Sequence, residues 1–157
     1  MIAWRLTKRA HATAPLDGEG ARLWGGRWSS PGRALVYLGP SPAAVALEVL
    51  VHLVEWSLAP TDFVLIEVEI PDSVLARAAA ITPEKLHEGW QSAGSHACIE
   101  RGEAWLTAPR HPAICRVPSA VTPETENLLL DPAHRDAKRV RVRSVRAWRF
   151  DARLLRG

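Results

Sequence analysis

The sequence is poor in several residue types: two cysteines, one methionine, one tyrosine and two phenylalanines among 157 residues. Two cysteines, Cys98 and Cys115, exclude a disulfide framework, so a reducing cytoplasm with free thiols is the expected setting. Long apolar runs are also missing. The longest nearly charge-free stretch, Pro31 to Leu47, is broken by three prolines and by glycines and ends at Glu48. A membrane span needs roughly 20 apolar residues, so none is expected. The N-terminal MIAWRLTKRA lacks the apolar run of a signal peptide. No repeat and no low-complexity segment is visible. The six histidines (His11, His52, His87, His96, His111, His134) form no HxxxH pair, and the cysteines stand seventeen apart, so no metal site is expected. Walker A and GxGxxG patterns are absent, as is the Gly-x-Ser-x-Gly of an elbow nucleophile.

What is present suits one folded domain. The chain is 47% apolar and 24% charged, near the averages for globular proteins. At 17.3 kDa it can bury roughly 68–70% of its unfolded surface. A single domain over residues 1–157 is expected. Charge is uneven: from Ala137 to Gly157, seven Arg and one Lys face one Asp, a net +7, so the rest carries −4 of the overall +3. Such a basic end suits nucleic acid or an acidic partner. Arginine outnumbers lysine seventeen to three throughout, however, which reads as a background preference.

Periodicity outlines the elements. Residues 2–6 alternate apolar positions and predict a strand. Residues 10–33 hold five glycines, Pro15 and Pro31, and predict a long loop with turns. Residues 34–38 predict a buried strand. Ser41-Pro42 opens a helix, with Ser as cap and Pro in its first turn, running to about Leu58 before Pro60. Residues 62–70 form the clearest strand, with Val64, Ile66, Val68 and Ile70 on one face. A helix is expected over 83–92, then a loop containing Gly94 and Gly102. Strands are expected over 113–117 and 139–150, the last alternating Arg with apolar residues. The result is an α+β domain with a mixed sheet flanked by helices.

Four places can carry chemistry. In Gly25-Gly26-Arg27 the glycines allow close backbone approach, and Arg27 offers a planar fork for phosphate or carboxylate. Trp24 and Trp28 either flank a flat ring there or belong to the core. On the helix, Glu48, His52 and Glu55 fall on one stripe, which faces either solvent or a cleft. Ser119 after Pro118 reads as a turn residue. The basic strand 138–149 reads as a solvated edge, or as a nucleic-acid surface without an aromatic cluster.

Taken in order, these segments resemble the RES domain, named for its Arg, Glu and Ser. The matching stretches are Asp17-Gly-Glu-Gly-Ala-Arg-Leu-Trp-Gly-Gly-Arg-Trp-Ser-Ser-Pro-Gly-Arg33, Val36-Tyr-Leu38 and Ala46-Leu-Glu-Val-Leu-Val-His52. They continue with Arg116-Val-Pro-Ser-Ala-Val121, Glu126-Asn-Leu-Leu-Leu-Asp-Pro-Ala-His134 and Phe150-Asp-Ala-Arg-Leu154. Asp131 and Ser29 depart from the family pattern, each standing where Asn is usual. The resemblance implies a fold similar to ADP-ribosyltransferases and a toxin of a type II toxin–antitoxin pair. It implies NAD as substrate, no cofactor, and a Xre-type helix-turn-helix antitoxin through which alone DNA would be contacted. The implied catalytic residues are Arg27, Tyr37 and Glu48, with Trp28, Ser119 and Asn127 as binding residues. Whether water, phosphate or a protein accepts the sugar stays open, as does a homodimer. A glycohydrolase or phosphorylase is thus expected, with ADP-ribosyl transfer to a protein as the alternative. A nucleic-acid-binding module using the basic strand is the alternative from another class.

Overall fold

The computed structural model describes residues 1–53 and 62–155. The N-terminal strand is Ile2–Lys8 (β1). Within the expected loop 10–33, Glu19–Trp24 forms a short helix (α1). Asp17 Oδ1 accepts the Glu19 N–H at 2.9 Å, and Glu19 and Arg22 form a two-pronged ion pair with both bonds at 2.6 Å. The Asx turn and the ion pair start the helix from Gly18, whose left-handed φ of 71° only glycine adopts readily. Val36–Leu38 (β2) and Pro42–Leu50 (α2) follow. The Ser41 hydroxyl accepts the Ala44 N–H at 3.2 Å, as the Ser-Pro pair predicts. Helix α2 ends at Leu50 rather than near Leu58. The His52 and Leu53 N–H groups close onto the Val49 and Leu50 carbonyls. Residues 54–58 of the expected helix lie outside the described residues.

The strand expected at 62–70 forms as Phe63–Glu69 (β3), followed by a single turn of helix, Asp72–Leu75 (α3), and a two-residue strand, Ala79–Ala80 (β4). The helix expected over 83–92 does not form; that segment holds only a 3-10 turn at Pro83–Lys85. The helix lies instead at His96–Thr107 (α4), where a loop was expected. Its buried residues Cys98, Gly102 and Trp105 repeat at helical spacing. Gly102 sits mid-helix because an added Cβ would overlap the Trp28 carbonyl oxygen. Glycine here marks close approach rather than a break. Ile114–Pro118 (β5) is the strand expected before Pro118. Glu126–Leu130 (β6) was not expected as a strand, because Leu128, Leu129 and Leu130 do not alternate: all three are buried. Arg141–Trp148 (β7) is the last strand among the described residues.

The strands form two sheets. One is antiparallel in the order β1-β3-β7; the other runs β2-β6-β5-β4, with only β4 and β5 parallel. Trp4 and Gly39 exchange two backbone hydrogen bonds of 2.8 Å, which tie β1 to the end of β2. Between the sheets lie Val64, Ile66 and Val68 of β3 with Val36, Leu38, Ile114, Leu128 and Leu130. The far face of the second sheet, through Leu129, Cys115 and Val117, packs on Trp28, Trp90, Cys98 and Trp105. The far face of the first, through Leu6, Phe63 and Leu65, packs on Val45 and Ala46 of α2. Both cysteines are thus core residues, and burial pushes the Cys115 thiol up to about 12, so it stays protonated. Among the described residues, no helix is long and apolar enough to cross a membrane.

Candidate active site

Where β1 and β2 are bridged, α2 and the glycine loop enclose a cavity of about 450 Å³, within the ordinary size range of small-molecule sites. Its walls include Arg5, Arg27, Tyr37, Glu48, His52 and Asn127. The sequence signal left the orientation of the α2 stripe open; Glu48 and His52 face this cleft. Glu55 lies outside the described residues.

Glu48 is half-buried. Its Oε1 accepts the Ser119 hydroxyl at 2.7 Å and the Asn127 Nδ2 at 2.7 Å. Both bonds fall on one oxygen, so the carboxylate is fixed in orientation while, among the described residues, Oε2 takes no bond. Ser119 is itself held: its Oγ accepts the Val121 and Thr122 N–H groups at 3.1 and 3.0 Å. Only 1% exposed and outside the cavity wall, Ser119 sits behind Glu48 rather than facing a ligand. Pro118 ends β5 and throws the chain into this turn, whereas Asn127 projects from β6. Asn127 Oδ1 is buried and has no partner among the described residues.

The opposite wall is built by a turn. Helix α1 closes with the Gly25 N–H bonded to the Ala21 carbonyl at 2.7 Å, and Gly25 takes a left-handed φ of 72°. Gly26 then bridges Ser29, and an added Cβ on Gly26 would overlap the Tyr37 hydroxyl. The turn therefore needs both glycines to set Arg27 and Trp28 against β2. Arg27 Nη1 donates to the Trp90 and Ser92 carbonyls at 2.9 and 3.0 Å. Only one prong of the guanidinium is engaged this way. The Tyr37 hydroxyl accepts the Trp28 N–H at 3.1 Å, and burial pushes the phenol above its ordinary value. The phenol thus keeps its proton at neutral pH.

Two sequence readings change here. Trp28 and Trp24 do not flank the cavity as a pair. Trp28 borders the cavity yet is 2% exposed and packed in the core, whereas Trp24 is 83% exposed and outside the lining. One wall residue was missed altogether. Arg5 shares the inward face of β1 with Ala3, opposite Ile66, and its Nε is buried without a partner among the described residues. Its Nη1 reaches only the Tyr37 carbonyl, at 3.5 Å, and burial lowers its pKa from the ordinary arginine value. In the sequence, the alternation of Ile2, Trp4 and Leu6 drew attention to the other face. A cation on the inward face of a two-sided strand was the available signal. Among the described residues, no three His, Cys, Asp or Glu side chains are grouped to hold a metal.

This arrangement of loop, helix and turn falls within the RES domain profile, which matches residues 2–153. The chain belongs to the RES domain family. Across 98% of this RES domain and 96% of the relative, it is 41% identical to the Prs ADP-ribosylating toxin of Sphingobium sp. (strain YBL2). It is 33% identical to Toxin Res of Photorhabdus laumondii, over 99% and 98% of the two chains. The fold is also similar to a solved structure, the Mycobacterium tuberculosis MbcT–MbcA toxin–antitoxin complex. That match has a TM-score of 0.68 and 24% identity, covering 94% of this chain and 83% of the other.

Proposed function

We propose that this RES domain is the toxin of a type II toxin–antitoxin pair and that it breaks the nicotinamide–ribose bond of cytoplasmic NAD. The observation that carries the reading is Glu48: a half-buried carboxylate, fixed through one oxygen, in a cavity wall shared with two arginines.

In NAD the nitrogen that joins nicotinamide to ribose is cationic. When that bond breaks, the electron pair leaves with the ring, and nicotinamide departs neutral without a proton from an acid. Ribose C1′ is left with oxocarbenium character, as in glycoside cleavage. Glu48, held before substrate arrives, offsets that developing charge with no reorganisation. One carboxylate is enough. Arg27 and Arg5 take the pyrophosphate; guanidinium groups with unengaged prongs bind phosphate through paired, charge-assisted bonds. Tyr37 packs on nicotinamide and donates its hydroxyl proton in a hydrogen bond. Asn127 Oδ1, otherwise unpartnered, accepts from a ribose hydroxyl or the nicotinamide amide. Ser119 acts through Glu48 as a positioning residue. No metal or cofactor is required.

Transfer of ADP-ribose to a protein is the second reading, favoured by the name of the 41% identical Sphingobium relative. An antitoxin partner is supported by the solved MbcT–MbcA complex. We assign that role to a Xre-type helix-turn-helix protein, which would also be the only contact with DNA. The test is incubation of the antitoxin-free protein with NAD and EDTA. Nicotinamide should be released, with ADP-ribose, its 1″-phosphate or a modified protein identifying the acceptor. Intact NAD, or turnover only after zinc is added, overturns the reading.

A further inference from the structure

Strand β7 is an edge whose outer side is bare. Its inner side pairs with β3 from Phe63 to Glu69, and among the described residues no strand lies beyond it. Among the described residues, no backbone N–H or C=O from Arg141 to Trp148 bonds outside that ladder. Arg141 through Ala147 are all exposed.

The two faces of this edge differ in chemistry. Val142, Val145 and Ala147 stand opposite Val68, Ile66 and Val64, on the face that elsewhere packs against the second sheet. Here that cover is thin, and the two valines are 38% and 46% exposed. Arg141, Ser144 and Arg146 stand on the other face, opposite Glu69, Glu67 and Leu65. A bulge takes Arg143 out of the alternation, and Arg143 alone bonds Glu69, at 3.1 Å. Among the described residues Arg141, Arg146 and Arg149 pair with no carboxylate. At the Val142 end an open depression of about 500 Å³ is lined by Ala14, Pro15, Leu16 and one carboxylate, Asp17, beside Arg141.

Charge and a bulge are how a sheet edge resists pairing with its own copy: two β7 strands would set arginine near arginine. The same charge attracts a strand of opposite sign. We propose that β7 is a docking edge for an extended acidic segment of another protein, added as a fourth strand to the β1-β3-β7 sheet. Its acidic side chains stand beside Arg141 and Arg146, and its intervening apolar side chains beside Val142 and Val145. Backbone bonds supply affinity in this mode, and alternate side chains supply selectivity. The edge lies two strands from β1, roughly 10 Å across the sheet, so docking leaves the cavity open.

The probe is a short end-blocked peptide alternating Glu and Val, titrated against the full chain by fluorescence anisotropy and by hydrogen exchange. Saturable binding is expected, weakening with salt, with slowed exchange at Arg141–Trp148 and unchanged NAD consumption. Arg141→Glu combined with Arg146→Glu should weaken binding about tenfold, about 1.4 kcal/mol, with an unchanged Tm showing that the fold survives. Three controls can overturn the proposal. A Lys–Val peptide that binds equally removes the charge argument. Duplex or single-stranded DNA that binds more tightly and protects β7 makes the edge a nucleic-acid surface. Concentration-dependent self-association that protects β7 makes the occupant a second copy. Peptide binding without protection of the β7 amides, or no binding at all, also overturns it.

Discussion

The cavity wall and the β7 edge both present arginines, yet their surroundings differ in kind. Arg27 is locked by two backbone carbonyls across from a carboxylate that is itself locked by Ser119 and Asn127. Arg141 and Arg146 stand on an exposed strand with no ion partner among the described residues. In the cavity, orientation is fixed before a ligand arrives, so charge acts at a defined point. On the edge, charge is solvated and screened, and serves association rather than chemistry. Residue type alone does not separate the two; burial and bonded partners do.

Substitutions can break this comparison. Glu48→Gln keeps the size and most of the hydrogen bonding but removes the charge, so kcat should fall by ~10²–10³ while Tm barely moves. Full growth arrest on expressing Glu48→Gln would remove Glu48 from the chemistry. Arg27→Ala should raise KM by roughly tenfold or more, because the pyrophosphate we assign to it would be held in ground and transition states alike. Arg27→Lys should recover only part of this, lacking the planar fork. Ser119→Ala should lower kcat by about tenfold with little change in KM, and cost about 1 kcal/mol of stability by leaving the half-buried Val121 and Thr122 N–H groups without their acceptor. Denaturant melts read the second effect separately from turnover. Ala substitution of Arg141 and Arg146 together should leave NAD kinetics and Tm unchanged; a loss of turnover there would place the site elsewhere.

A pH experiment sharpens the same contrast. Burial places the Tyr37 phenol above its unfolded value. The stability this contributes is complete below the unfolded tyrosine value of ~10 and is lost as pH rises through the folded one. Tyr37→Phe should flatten that alkaline loss of Tm, although it leaves the Trp28 N–H without its acceptor.

Much of the frame was legible. Alternation gave β3 its inward face, Val64, Ile66 and Val68, and Ser41-Pro42 gave the start of α2. Where periodicity and glycine rules failed, tertiary contact had overridden local preference. Gly102 lies inside α4 because the Trp28 carbonyl presses on it, and β6 is buried on both faces and does not alternate. Gly102→Ala tests the first point: the overlap should cost roughly 1–3 kcal/mol. In the site, the stripe of Glu48 and His52 was visible but its direction was not, because only folding decides which side meets a cavity. Ser119 read as a turn residue and is one, yet its hydroxyl also reaches Glu48, seventy-one residues away in sequence. No spacing rule links residues so distant. Arg5 was hidden because it shares with Thr7 the positions that alternation assigns to solvent, although Ala3 on that same face is fully buried.

The central claim is that Glu48 acts on the transition state rather than on bound substrate. Calorimetric titration of NAD into Glu48→Gln, which turns over too slowly to consume it during the measurement, tests this most directly. The account predicts an NAD dissociation constant within a few-fold of the wild-type KM alongside the lost kcat. Loss of NAD binding in step with the loss of turnover, in a protein whose Tm is unchanged, would contradict it.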